Sequence, residues 1–140
     1  MAVSTADRKV TKRGHFGGLA NAPVIANVVL PHGRAVFTDA TTGMATNTSN
    51  SGANKFAGIA HERFDNVGGA NGDIDAEYWI RDRFELTGSG FTQADVGKKV
   101  YLADNGDGLT KTATSAALVG TITEFISATV VEVDIDTQAA

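Results

Sequence analysis

The chain contains no cysteine, which excludes disulfides, thiolate metal centres and thiol nucleophiles together. Its remaining soft ligands are three histidines, His15, His32 and His61, and no HxxxH or HxH spacing relates them. No apolar run approaches the ~20 residues of a membrane-spanning helix; the longest are stretches such as Val28-Val29-Leu30 and Ala116-Ala117-Leu118-Val119. The first residues carry charge where a secretory leader has its apolar stretch, so the sequence reads as a cytosolic product without a cleaved leader. Glycine-rich nucleotide loops and a Gly-x-Ser-x-Gly elbow are missing as well.

Positive charge is scarce and unevenly placed. Lys and Arg number 12 against 16 Asp and Glu, for a net charge of -4. Residues 1–20 hold Arg8, Lys9, Lys12 and Arg13 against Asp7, a local +3, which leaves -7 for the rest. A nucleic-acid binder spreads basic residues and aromatics over a folded face; an acidic body with a basic head does not. The head reads either as a solvated tail or as a binding arm. It shows no alternating core segment, so its removal is expected to leave the rest of the chain folded.

What is present fits one globular domain. A chain of 140 residues with 42% hydrophobic and 20% charged residues and a mean hydropathy of -0.07 buries roughly two thirds of its unfolded surface on folding. Glycine supplies 16 residues, above the usual ~7%, and favours many tight turns. The pattern divides into an extended N-terminal arm, 1–22, and a β-rich domain, 23–140. Strands are predicted at 23–31, 34–38 and 55–63, the last buried on both faces, with a turn at 39–43 and a polar loop at 46–54. Across 73–81, Ile74, Ala76, Tyr78 and Ile80 alternate with Asp73, Asp75, Glu77, Trp79 and Arg81. Residues 83–86 are read as continuing that strand or pairing with it. Thr92 and Asp95 have capping-box spacing, but Gly97 limits the helix to one turn. Strands at 99–103, 109–112, 118–126 and 129–135 complete the series, and the last presents a wet face with Glu132, Asp134 and Asp136. No window shows a sustained 3.6 period, so the fold class is all-β, a compact small β-sandwich or β-barrel-like domain.

The chemistry-bearing clusters read as structural. Residues 104–108 resemble a calcium loop in composition but lack EF-hand spacing, and Gly and Asn there suit a hairpin turn. The trios Asp73, Asp75, Glu77 and Glu132, Asp134, Asp136 are carboxylates such as a glycosidase uses, yet strict alternation lines each along one strand face as a charged, aggregation-resistant surface. No catalytic, metal or cofactor site is assigned. Trp79 on an acidic face is a possible interface residue.

Four segments carry a resemblance. They are Phe56-Ala57-Gly58-Ile59-Ala60-His61-Glu62-Arg63; Asp65-Asn66-Val67-Gly68-Gly69-Ala70-Asn71-Gly72-Asp73; Gly90-Phe91-Thr92-Gln93-Ala94-Asp95-Val96-Gly97-Lys98-Lys99-Val100-Tyr101; and Val119-Gly120-Thr121-Ile122-Thr123-Glu124-Phe125-Ile126-Ser127-Ala128-Thr129. In this order and spacing, over about 24–136, the chain resembles the small decoration (cement) proteins of tailed-phage capsids. The resemblance implies a structural virion protein, made in the bacterial host cytoplasm. It would bind the major capsid protein on the outer capsid surface and stabilise the shell, often as a homotrimer at local threefold positions. No enzyme activity, cofactor, nucleic acid or membrane is implied. The head has no counterpart in the motif, and Arg8, Lys9, Lys12, Arg13, His15 and Phe16 are its candidate capsid contacts. The alternative is a carbohydrate- or receptor-binding β module with Trp79 and Tyr78 as platform residues; a small hydrolase ranks third.

Overall fold

The computed structural model describes residues 4–8, 10–12, 18–103 and 108–136. Thirteen strands are present among them: β1 (Thr11–Lys12), β2 (Leu19–Pro23), β3 (Val29–Leu30), β4 (Ala35–Thr38), β5 (Ala45–Thr46), β6 (Lys55–Ala60), β7 (Phe64–Asp65), β8 (Asp75–Trp79), β9 (Arg81–Thr87), β10 (Lys99–Leu102), β11 (Leu109–Thr110), β12 (Ala117–Ser127) and β13 (Val130–Asp136). The helical content described is one 3₁₀ turn, Gln93–Asp95. The fold is all-β, as the alternation and turn spacing predict.

The strands form a six-stranded sheet in the order β1-β9-β13-β12-β10-β11, a five-stranded sheet in the order β2-β8-β6-β4-β5, and a β3-β7 ribbon. All strand pairings are antiparallel. The two large sheets enclose the main core, in which Phe37, Phe56 and Ile59 from one sheet meet Phe84, Ile122, Val131, Val133 and Ile135 from the other. A second core lies on the opposite face of the five-stranded sheet, where Val24, Leu30, Val36, Ala60, Ala76 and Tyr78 pack together. That sheet is therefore covered on both sides, which accounts for the continuous burial of β6 from Phe56 to Ala60.

Four expectations are corrected. The strand predicted at 23–31 is reduced to Val29–Leu30, because Asn27 takes φ 61° in a turn and donates its N–H to the Asn66 carbonyl. Residues 83–86 neither extend β8 in its own sheet nor pair with it: the chain runs from Trp79 through Ile80 into β9 without a turn, but β9 pairs with β13 and β1 in the other sheet. The uninterrupted sequence alternation conceals that change of sheet. Glu132 is not on a wet face; it is 4% exposed, accepting a hydrogen bond from Thr123 Oγ1 at 2.7 Å with Arg83 Nη1 at 3.7 Å. A strand in the middle of a sheet has neighbours on both edges, and here Arg83 from β9 and Thr123 from β12 flank the carboxylate.

The fourth correction concerns the head. Residues 19–23 form β2, paired along its length with β8 from Leu19↔Trp79 to Pro23↔Asp75. Ala20 and Ala22 pack on the second core, and Val10 packs on the main one. The head thus contributes core residues, contrary to the expectation that it holds none.

Candidate functional site

Residues 5–8 of the head are held by polar contacts to His32, Gly33, Arg34 and Arg63. Gly33 has φ +76° in the turn after Pro31, and a Cβ there would overlap the Arg8 carbonyl oxygen; only glycine allows the head so close. Arg8 donates its N–H to the His32 carbonyl at 2.7 Å, and its guanidinium donates to the Gly33 carbonyl from Nε at 3.0 Å and Nη2 at 2.8 Å. Arg34 Nε reaches the Ala6 carbonyl at 3.2 Å, and Arg63 Nη1 reaches the Thr5 carbonyl at 2.9 Å. Asp7 accepts from Arg63 Nη1 and from the His32 N–H, both at 2.9 Å. The Arg63 hydrogen bond, then that of His32, holds the Asp7 carboxyl below its usual value.

Further along, Lys12 and Phe84 are cross-strand partners, and Lys12 Nζ lies 2.7 Å from Asp82 Oδ2. Asp82 alternates with Phe84 and Leu86 on the core face of β9 and is fully buried. A charge in that position requires a partner, and the head supplies one. Of the candidate capsid contacts, Arg8 and Lys12 therefore have partners within the domain, while Lys9, Arg13, His15 and Phe16 lie outside the described residues, as do residues 104–107 of the hairpin segment.

Trp79 is half-buried, tilted against Phe84 with ring centroids 5.6 Å apart and edge-on to His61 at 5.0 Å. Its ring packs toward the main core, whereas Tyr78 on the other face of β8 belongs to the second. Successive strand residues point to opposite faces, so the two rings do not form one ligand platform. His32 Nδ1 lies 2.9 Å from the His61 carbonyl, and His61 Nδ1 lies 3.6 Å from Glu77 Oε1. Among the described residues no three His, Asp or Glu side chains converge as a metal site would need.

Two of the four resemblance-bearing segments build more local structure than their sequence shows: the cap expected at Thr92 and Asp95 is present, while its lysine partners and the role of Asn66 are additions. In the segment 90–101, Phe91 is buried in the main core and the Thr92 N–H donates to Asp95 Oδ2 at 2.9 Å. Lys98 Nζ and Lys111 Nζ each lie 3.1 Å from the same carboxylate. Its side chain is only 3% exposed, and these donors, the Thr92 N–H foremost, lower its pKa to about 2. In the segment 65–73, the buried Asn66 side chain donates through Nδ2 to the carbonyls of Val24, Ile25 and Ala70 at 3.2, 3.0 and 3.0 Å. A Cβ at Gly69 would overlap Asn66 Oδ1. Asp73, read as part of a solvated trio, caps this loop by accepting the Ala70 N–H at 2.8 Å.

A cleft of about 520 Å³ opens on the five-stranded sheet, lined by Ala20, Ala57, Tyr78 and Ile80 and by residues of the segments 52–55 and 116–118. Comparison with protein-family models, curated proteins and solved structures finds no match to this chain.

Proposed function

We propose that the chain is a structural decoration protein that binds the outer surface of an assembled tailed-phage capsid through its major capsid protein and stabilises the shell, as a homotrimer at local threefold positions. The observation that carries this reading is the co-linear set of four segments spanning 56–129. Two of them are framework strands, 56–63 covering most of β6 and 119–129 most of β12, and the other two are anchored loops, 65–73 through the buried Asn66 and 90–101 through Phe91 and Asp95. A resemblance that falls on the framework of the domain is the kind that goes with a shared fold, and shared fold and order together favour a shared task. In this reading the head, anchored by Arg8 and Lys12, orders the corner near β1 for contact with a capsid subunit, and Lys9, Arg13, His15 and Phe16 belong to the contacting surface. Several weak contacts repeated over three copies give avidity that one copy lacks.

Co-sedimentation with the capsid of the source phage tests the reading. Saturable pelleting with intact shells, and light scattering giving three chains per free particle or three per bound cluster, is the expected result. Absence of saturable pelleting would remove it.

A further inference from the structure

The cleft on the five-stranded sheet has a largely apolar lining. The alternation that places Val36 and Ala57 on the outer face of that sheet also places Thr38 and Lys55 there, since Thr38 and Lys55 are cross-strand partners. Ala20, Tyr78 and Ile80 complete the same face from β2 and the end of β8. The walls are fixed. Gly52, at φ +85°, sits so close to Ala116 that an added Cβ would meet its carbonyl oxygen at 3.0 Å, and Asn54 is held by its bonds to the Ala40 N–H at 2.9 Å and the Thr48 carbonyl at 3.0 Å. At Gly58 an added Cβ would meet Tyr78 Cδ2 at 3.0 Å, so the missing side chain makes room for the tyrosine ring.

Two lining residues carry groups that a polar ligand atom can meet. Tyr78 is 7% exposed and lines the cleft, and its hydroxyl makes no hydrogen bond within the described residues, which leaves it open to a ligand atom. The Lys55 ammonium at the rim likewise has no partner among them. Among the described residues no Asp or Glu lines the cleft, so in a chain of net charge -4 this concavity has Lys55 at its rim over an apolar floor. The volume lies within the usual range for small-molecule sites, roughly 300–1,000 Å³.

From this arrangement we infer that the cleft binds a small monocarboxylate with an apolar body, its carboxylate at Lys55 and its body on Ala20, Ala57 and Ile80, with the Tyr78 hydroxyl donating to an acceptor oxygen. Charge complementarity selects the anion, because among the described lining residues the one ionised group is a cation. The inference does not depend on the capsid reading.

Hexanoate, hexanol and hexylammonium are suitable probes, titrated into the full chain while backbone amide shifts are followed by NMR. The expected result is saturable shifts with hexanoate grouped at Gly52, Ala57, Ile80 and Ala117, with hexanol weaker and hexylammonium weaker still, by about tenfold or more. Lys55→Gln, at an exposed position that leaves the fold intact, reduces hexanoate affinity about tenfold, and Tyr78→Phe reduces it several-fold. Hexanoate shifts scattered over the surface would overturn the inference. So would equal binding of hexanoate and hexylammonium, or unchanged hexanoate affinity in Lys55→Gln.

Discussion

Replacing Lys12 by methionine tests whether the head belongs to the fold. The substitution keeps the length and most of the apolar stem but removes the ammonium 2.7 Å from Asp82 Oδ2. Asp82 is fully buried, whereas the Lys12 side chain is 29% exposed, so the loss falls on a carboxylate with no access to water. Breaking a buried pair from one side costs about 3–5 kcal/mol. The Arg83 N–H also donates to Asp82 at 2.8 Å, and Lys12 is partly solvated, so the lower end, about 3 kcal/mol, applies. At about 3 °C per kcal/mol for a domain of this size, the melting temperature falls by about 10 °C. Calorimetry and urea titration measure it, with Lys99→Met as the control at an exposed lysine, expected within about 0.5 kcal/mol of the parent. The double variant Lys12→Met/Asp82→Leu should regain most of the loss, because an apolar pair carries no desolvation cost at that site. If Lys12→Met melts with the parent, the head is an accessory to the domain and the packing argument fails.

Phe84→Ala empties a fully buried site beside Trp79 and should cost about 3–5 kcal/mol by urea titration. Gly58→Ala forces a Cβ into the Trp79 carbonyl, so β6 and β8 must separate, at a cost of about 1–3 kcal/mol or more. Asp95 has a folded-state pKa lowered from 3.8 to about 2, so its contribution is complete above about pH 4 and is lost as pH falls through about 2. The urea midpoint should decline across that window, and Asp95→Asn should flatten the decline.

Period-2 alternation made β8 and β13 readable, because it reports directly which side chains share a face. It does not report whether the outward face is covered, and that is why Glu132 reads as solvated while Arg83 and Thr123 close over it. The head was illegible for a different reason. Leu19-Ala20-Asn21-Ala22-Pro23 has little intrinsic β preference, and its strand exists because β8 offers an edge to pair with. Lys12 looked like one of four solvated cations, since its partner Asp82 lies seventy residues away in sequence. Asp95 was legible as a cap through its spacing from Thr92, but its second lysine, Lys111, comes from beyond β11. The cleft was hidden because Tyr78 and Lys55 sit in strands whose adjacency only the sheet order reveals.

An electron cryomicroscopy map of phage shells incubated with saturating protein tests the proposed attachment to a capsid exterior. Density for the two-sheet domain is expected on the outer surface, three copies about each local threefold axis, with the head near Arg8 and Lys12 turned toward the capsid subunits. Bare shells at saturating concentration would contradict it.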